Sequence, residues 1–225
     1  MLATPKKVLV FAAHPDDEII GVGGTVSRLH EEGSSAKVVI FSKGGGGLAD
    51  KDTAPELLKE ERAHETEEVA KLLGFEHKIL GMREILDRRE ATRLMLKEIR
   101  SFKPDMVFTH SPLNKHHLHR AISECSTEAC WHTATRAYSD IGEPWRVGVV
   151  YFYEVFDLFT SSDLIVDITR TYKRKVDAMQ LYKSQVEVFP GILDYLKALA
   201  RVRGFLAEGE YGEAFEQSNA TPIYV

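Results

Sequence analysis

Hydrophobic and polar residues follow two alternating patterns along the chain. Short apolar runs at 8–13, 37–41 and 105–109 are typical of strands buried on both faces of a parallel sheet. Longer runs with helical spacing lie between them, and Gly33 and Gly74 follow two of these runs as helix stop signals. This order predicts an α/β fold, with a Rossmann-like, mostly parallel sheet and helices on both of its faces.

The remaining predicted elements continue this alternation to the end of the chain. Further strands are predicted at 77–80, 147–152 and 164–167. Helices are predicted at 17–32, 55–73, 89–102, 115–136, 169–184 (with Thr169 as its cap) and 189–208, and an irregular tail follows. Since no repeat, low-complexity tract or linker divides these elements, we expect one domain that spans residues 1–225.

Composition and charge narrow the class of protein. The 225 residues carry a formal net charge of −5, which disfavours a general nucleic-acid binder because such proteins need a basic surface. No apolar run approaches the roughly 20 residues of a membrane span, and no signal cleavage site is evident. Cys125 and Cys130 are five residues apart in a predicted helix and do not share a face, so we expect free thiols and a cytoplasmic location.

The densest chemical signal lies where the first predicted strand ends. Residues 13–18 read Ala-His-Pro-Asp-Asp-Glu, at the edge where open α/β sheets bind their ligands. His14 and Asp17 are three residues apart, so both can point toward one divalent metal ion such as zinc. Asp16 projects differently and suits a general base beside the metal. The alternative is that the two aspartates only cap the helix, which leaves His14 without a role.

A second cluster follows the strand predicted at 105–109. Residues 110–119 read His-Ser-Pro-Leu-Asn-Lys-His-His-Leu-His. His116 and His119 share a helical face, whereas His117 points elsewhere, so this segment is the best source of a third metal ligand. A surface histidine cluster that binds no metal is the alternative.

Together these residues resemble the PIG-L, or LmbE-like, family of zinc-dependent N-deacetylases. The resemblance rests on His-Pro-Asp-Asp-Glu at 14–18 with the glycines that follow it, and on the His-x-x-His form of residues 116–119. Weaker matches extend it over nearly the whole chain, at 62–65 with 73–74, 151–154, 183–185 and 211–215. The resemblance implies that zinc, or another divalent metal, is held by His14, Asp17 and His119.

The same resemblance implies roles for three further residues. Asp16 becomes the general base, and His116 becomes the group that stabilises the tetrahedral oxyanion or protonates the leaving amine. Arg62 matches an arginine near the substrate, although a solvated arginine paired with a neighbouring glutamate is the alternative. Leu118 departs from the family, which usually has an aspartate there to orient the preceding histidine, so the acid function of His116 lacks its usual partner.

The function implied by the resemblance is removal of an N-acetyl group from an amino sugar or its conjugate, a small-molecule partner. Two alternatives stay open: an amidase that cleaves a larger amide, and a metal-retaining protein that binds the sugar without turnover. A dinucleotide-binding oxidoreductase is disfavoured, because the glycines at 21–24 lie inside the first predicted helix and not before it. A homo-oligomer is compatible with the sequence. The glycine run 44–47 and the segment 83–89 are expected to border the mouth of the site.

Overall fold

A seven-stranded sheet forms the centre of the computed structural model, which describes residues 4–43, 55–82, 85 and 87–219, with the backbone alone for 55–59. Its strands in chain order are β1 (Lys7–Ala12), β2 (Ser35–Ile40), β3 (Phe75–Ile79), β4 (Met106–His110), β5 (Val149–Tyr153), β6 (Leu164–Asp167) and β7 (Gly212–Gln217). Their order across the sheet is β3-β2-β1-β4-β5-β7-β6. The first five are parallel, and β7 is antiparallel to both neighbours, which confirms the mostly parallel sheet.

Helices cover both faces of this sheet, as predicted. They are α1 (Asp17–Glu31), α2 (Pro55–Leu73), α3 (Arg88–Phe102), α4 (His117–His132), α5 (Tyr172–Leu181), α6 (Lys183–Val188) and α7 (Ile192–Leu206), with a short 3-10 helix at Ser139–Ile141. Helices α3 and α4 pack on one face, and α1, α2, α5 and α7 pack on the other. None of the helices in the described ranges is long and apolar enough to cross a membrane.

Strand β1 is buried on both sides, so its side chains enter two separate cores. Val8 and Val10 pack with the α1 side of the sheet, whereas Leu9 and Phe11 pack with the α3 and α4 side. Successive side chains of a strand point to opposite faces, which explains why a central parallel strand reads as an unbroken apolar run. Because both cores share one sheet, the described residues form a single α/β domain.

Two glycines of α1 allow this helix to pack closely on its neighbours. A Cβ atom on Gly21 would lie 2.2 Å from the ring of Tyr153, and a Cβ atom on Gly24 would lie 2.6 Å from the side chain of Ile168. Both contacts are closer than side chains tolerate, so helix packing requires these glycines. They are inside α1, where they do not form a pyrophosphate-binding turn.

The C-terminal part of the prediction is wrong in three respects. The helix predicted at 169–184 is divided into α5 and α6, which meet at Tyr182. Thr169 does not cap a helix, because its hydroxyl accepts the backbone N–H groups of Glu210 and Tyr211. The tail predicted to be irregular contains β7, which lies between β5 and β6 in the sheet.

The order of the strands determines where the candidate site residues lie. The chain runs outward from β1 to β2 and β3 on one side, and β4 and β5 lie on the other. In open α/β sheets this switch point leaves a crevice at the carboxyl ends of the two central strands. Because β1 ends at Ala12 and β4 ends at His110, the segments 13–18 and 111–119 leave the sheet beside each other.

Candidate active site

Three side chains meet above the carboxyl ends of β1 and β4. Nδ1 of His14 lies 3.2 Å from Oδ2 of Asp17. Nε2 of His119 lies 3.2 Å from the same His14 nitrogen and 3.3 Å from the same Asp17 oxygen. Donors held tetrahedrally at zinc distances are separated by about 3.3 Å. The donor types and spacing of these three residues, which we refer to as the ligand triangle, therefore fit a divalent metal ion such as zinc.

Asp17 is held as an anion within the ligand triangle. Its Oδ2 accepts the backbone N–H of His14 at 2.8 Å. Burial acts to raise the pKa of Asp17, but the nearby His119 and His110 rings and the hydrogen bonds from His119 and His14 hold that pKa well below its usual range. An ionised carboxylate is the form that binds a metal, so this environment prepares Asp17 as a ligand.

Asp16 adopts a strained backbone conformation just before α1. Its φ of +119° lies in a region that residues other than glycine rarely adopt. Such strain costs about 1–3 kcal/mol and persists only where the surroundings hold it. Here the Asp16 N–H donates to Glu18 Oε2 at 3.1 Å, and its carbonyl accepts the N–H groups of Ile19 and Ile20. Its side chain makes no capping bond, so the helix-capping alternative is wrong for Asp16.

The electrostatic environment of Asp16 suits an acceptor of protons. Burial raises the pKa of its carboxyl well above the usual value, Asp17 and Glu18 raise it further, and Arg62 opposes them. A carboxylate whose pKa is shifted toward neutrality is a better general base than an exposed one. Glu18 is also buried, and burial raises its pKa to about 7 although Tyr182 donates a hydrogen bond to it.

His116 precedes α4 and lies beside the ligand triangle. The centre of its ring is 4.9 Å from that of His14 and 4.6 Å from that of His119. Partial burial lowers the pKa of His116 to about 4, and the neighbouring histidines act in the same direction. The ring is therefore neutral near pH 7 and can donate one hydrogen bond. Leu118 is packed in the apolar core, where it cannot replace the aspartate that the family usually has.

Arg62 is brought to Asp16 from α2. Only 6% of this residue is exposed, so the alternative of a solvated surface arginine is wrong. Burial lowers its pKa, while the negative charges of Asp16, Glu65 and Glu61 oppose that shift. The guanidinium also contacts the side-chain amide of Gln185. The structure thus places Arg62 in the site, beside the proposed base.

His110 is a site residue for which no role was predicted from the sequence. It is the last residue of β4 and fully buried, and its Nε2 lies 3.5 Å from Asp17 Oδ2. Two further compact donor sets overlap the ligand triangle, and they consist of Asp17, His110 and His119, and of His14, His116 and His119. However, His110 Nε2 already accepts the N–H of Ala13 at 3.0 Å, so the ring fits a supporting position better than a ligand position. A histidine directly after an apolar strand was the available signal.

The mouth of the site is described in part. The glycine run 44–47 and residues 83, 84 and 86 lie outside the described residues. On the side of α4, the backbone N–H of His116 donates to Asn114 Oδ1 at 3.0 Å, and that of Lys115 donates to Asp157 Oδ2 at 2.8 Å. These two bonds fix the backbone that carries His116.

Comparisons with known proteins find a matching family model, similar proteins and structures of the same fold. The family model PIG-L: GlcNAc-PI de-N-acetylase matches residues 9–130. The 1D-myo-inositol 2-acetamido-2-deoxy-alpha-D-glucopyranoside deacetylase 2 of Saccharopolyspora erythraea is 28% identical over 245 residues, which cover 87% of this chain and 89% of that protein. The structure of N,N'-diacetylchitobiose deacetylase from Pyrococcus horikoshii matches with a TM-score of 0.84 and 29% identity, over 96% of this chain and 85% of that chain.

A further structural match shows that the fold alone does not determine the reaction. GalB, the 4-carboxy-2-hydroxymuconate hydratase from Pseudomonas putida KT2440, has a TM-score of 0.86 but only 21% identity, over 98% of both chains. The family match carries more weight, because it spans over half of the 225 residues and includes the ligand triangle, Asp16, Arg62 and His116. The chain belongs to the PIG-L: GlcNAc-PI de-N-acetylase family, as its motifs predicted.

Proposed function

We propose that this protein is a zinc-dependent hydrolase that removes the N-acetyl group from an amino sugar or an amino-sugar conjugate. The observation that carries the proposal is the presence of a second buried carboxylate, Asp16, beside the ligand triangle and outside it. Metal-assisted hydrolysis needs one carboxylate that binds the metal ion and a separate group that accepts a proton from the attacking water. The two deacetylases described above are named for substrates of this kind, a 2-acetamido-2-deoxyglucopyranoside and diacetylchitobiose.

His14, Asp17 and His119 would hold the zinc ion. Zinc bound in this way supplies Lewis-acid activation of water and of the amide carbonyl. Another divalent ion is an alternative, because a set of two histidines and one aspartate discriminates poorly among such metals.

In the proposed reaction, Asp16 transfers protons, and His116 stabilises the negative charge that develops on the carbonyl oxygen. Asp16 accepts a proton from the attacking water as the water oxygen bonds to the acetyl carbon. The neutral His116 ring donates a hydrogen bond to the carbonyl oxygen, where negative charge develops. The proton on Asp16 then passes to the amine nitrogen as the carbon–nitrogen bond breaks, which gives acetate and a free amine. The lowered pKa of His116 favours this hydrogen-bonding role over the acid role that the sequence left open.

Arg62 has two parts in the proposal. Its positive charge beside Asp16 stabilises the ionised carboxylate before the proton is accepted, in opposition to burial. The family resemblance supports a second role, in which this arginine contacts the substrate, and we include that contact in the proposed function. The KM of Arg62→Lys tests the contact with the substrate. We expect this variant to bind the substrate less tightly, so that its KM is higher.

The proposal also includes the cellular location, the extent of the domain and the oligomeric state of the protein. Cys125 and Cys130 are buried free thiols in α4, as predicted, which supports a reducing compartment such as the cytoplasm. The extent of the domain, residues 1–225, and a homo-oligomeric state stay predictions. Limited proteolysis tests the first, and light scattering on the purified protein tests the second.

Release of acetate tests the proposed reaction. The zinc-loaded protein is incubated with N-acetylglucosamine, diacetylchitobiose and N-acetylglucosaminyl-inositol, and with an N-phenylacetyl glucosamine as the larger amide. We expect acetate and primary amine in equal amounts from at least one N-acetyl compound. Amine released only from the larger amide would favour an amidase. Binding of one of these sugars without any release would favour a protein that retains the metal and binds the sugar.

A further inference from the structure

The side chain of Asp16 needs a partner outside the ligand triangle. Its backbone is strained, with a φ of +119°, and its carboxylate makes no capping hydrogen bond to α1. A buried carboxylate on a short side chain acts as a base only if its lone pairs are aimed at the water it deprotonates. The described residues that reach this carboxylate are therefore as important to the chemistry as its pKa.

Gln185 of α6 makes direct contact with the Asp16 carboxylate. The surrounding groups determine the orientation of its amide, because one polar atom faces a carboxylate and the other faces a guanidinium. In the orientation that satisfies both, Gln185 Nε2 donates to Asp16 Oδ2 at 3.0 Å. Its Oε1 accepts from the Arg62 guanidinium at 2.6 and 2.9 Å. Gln185 thus joins the proposed base to the buried arginine.

The start of α6 is anchored so that Gln185 has little freedom to move. The backbone N–H of Ser184 donates to Glu65 Oε1 at 2.9 Å, and its hydroxyl donates to Glu65 Oε2 at 2.7 Å. Gln185 itself is 4% exposed. A buried polar side chain on a fixed backbone loses little entropy when it holds a partner, so Gln185 can orient a carboxylate effectively.

The connection between α5 and α6 also fixes the backbone of Asp16. Tyr182, which lies between α5 and α6, donates its hydroxyl to Glu18 Oε1 at 2.5 Å. The other oxygen of Glu18 accepts the backbone N–H of Asp16. Tyr182 acts on the main chain of Asp16 through Glu18, and Gln185 acts on its carboxylate directly.

We propose that Gln185 is a positioning residue. It contacts both Asp16 and Arg62, and it holds the Asp16 carboxylate in the orientation required of the general base. This inference rests on the proposed function, in which Asp16 is that base. Gln185 has no contact with the ligand triangle among the described residues, so its effect is on kcat and not on metal content.

Steady-state kinetics of Gln185→Met, which keeps the side-chain length and removes the hydrogen bonds to Asp16 and Arg62, tests this inference. We expect kcat to fall by about ten- to a hundredfold, because a bond to a charged group is lost, with KM changed by less than about twofold. The zinc content should equal that of the wild type. Gln180→Met is the matched control, since Gln180 is exposed on the adjacent helix α5.

A double-mutant cycle shows whether Gln185 acts through Asp16. In an Asp16→Asn background, we expect Gln185→Met to lower the residual kcat by less than about twofold, because the group it positions is already lost. An equal loss in both backgrounds, an unchanged kcat in the single variant, or a loss of zinc would overturn the inference. If Gln185→Met does not fold, Gln185→Glu gives the same test, because it retains the Arg62 contact and removes the donor to Asp16. Inactivity of the wild type would instead count against the proposed function.

Discussion

The carboxylates of Asp16 and Asp17 are adjacent in sequence and have pKa values shifted in opposite directions. Burial raises the pKa of Asp16, and the charge of Asp17 raises it further. Asp17 is also buried, but His119, His110 and His14 outweigh that burial and lower its pKa. Environments that separate the pKa values of two neighbouring groups assign them different roles. Asp17 is suited to remain an anion that binds a metal, whereas Asp16 is suited to take up and release a proton.

Loss of one member of the ligand triangle should release the metal. We expect Asp17→Asn and His119→Ala to keep less than about a tenth of the wild-type zinc after dialysis, since a three-donor set becomes a two-donor set. Mass spectrometry of the bound metal measures this. The control is His117→Ala, whose ring stacks on His116 outside the triangle and whose removal should leave zinc content unchanged. Full zinc in either triangle variant would contradict the assigned ligands.

His110 should support the site without binding the metal. In His110→Phe the ring shape is kept, but the buried N–H of Ala13 loses its acceptor. We expect the free energy of unfolding to fall by about 1–3 kcal/mol in urea denaturation, with one zinc ion still bound per chain. If this variant lost zinc as completely as His119→Ala, the alternative donor set of Asp17, His110 and His119 would be correct.

His116 should act in its neutral form. Its pKa of about 4 leaves it unprotonated through the pH range in which an ordinary histidine titrates. We expect His116→Gln to lower kcat/KM about a hundred- to a thousandfold, with the shape of the profile between pH 5 and 8 retained. A change in kcat/KM near pH 6.5 that is present in the pH profile of the wild type and absent from that of His116→Gln would show instead that a protonated His116 is the acid.

Glu18 should make the metal-free protein less stable as the pH rises. Its pKa is raised from 4.5 to about 7, so the folded chain keeps a proton that the unfolded chain releases in this range. Stability is therefore fully retained below pH 4.5 and falls by about 3 kcal/mol as the pH reaches 7. Urea denaturation in the presence of a chelator measures this loss.

The matched variants for this measurement are Glu18→Gln and Glu187→Gln. Glu18→Gln should make the fall in stability between pH 4.5 and 7 about 3 kcal/mol smaller, because the amide does not titrate, and Asp16, whose pKa is also raised, contributes to the fall that remains. Glu187 is exposed on α6, so its replacement should leave the fall unchanged. The same pH dependence in Glu18→Gln as in the wild type would show that another group is responsible.

The fold was predictable wherever a strand was apolar on both faces. Strand β7 was missed because it reads Gly-Glu-Ala-Phe-Glu-Gln, with only two apolar residues. Its Glu213 is nevertheless buried, because Lys175 pairs with it at 2.6 Å and the N–H groups of Gly24 and Thr25 donate to it. A buried charge that is compensated by residues far away in sequence leaves no local pattern.

The site was predictable where its residues are close in sequence. The spacing of His14 and Asp17 and the local histidine cluster indicated the two segments that form the ligand triangle, and the family resemblance singled out His119 in the second segment. Leu118 could be recognised as a departure from the family, but not explained. The structure shows it 1% exposed in an apolar core, where an aspartate would bury a charge. Gln185 could not be given a role, because its contact with Asp16 depends on how α6 packs in three dimensions.

The central claim is that Asp16 accepts the proton from water while the ligand triangle binds the metal. Comparing the wild type with Asp16→Asn at equal zinc content tests this claim most directly. Acetate and free amine are measured with diacetylchitobiose as the substrate, or with the N-acetyl sugar that the wild type prefers. We expect equal amounts of both products from the wild type, and a kcat about a hundred- to ten-thousandfold lower in Asp16→Asn, with one zinc ion per chain in each protein. An Asp16→Asn variant that retains both its zinc and the wild-type kcat would contradict this claim.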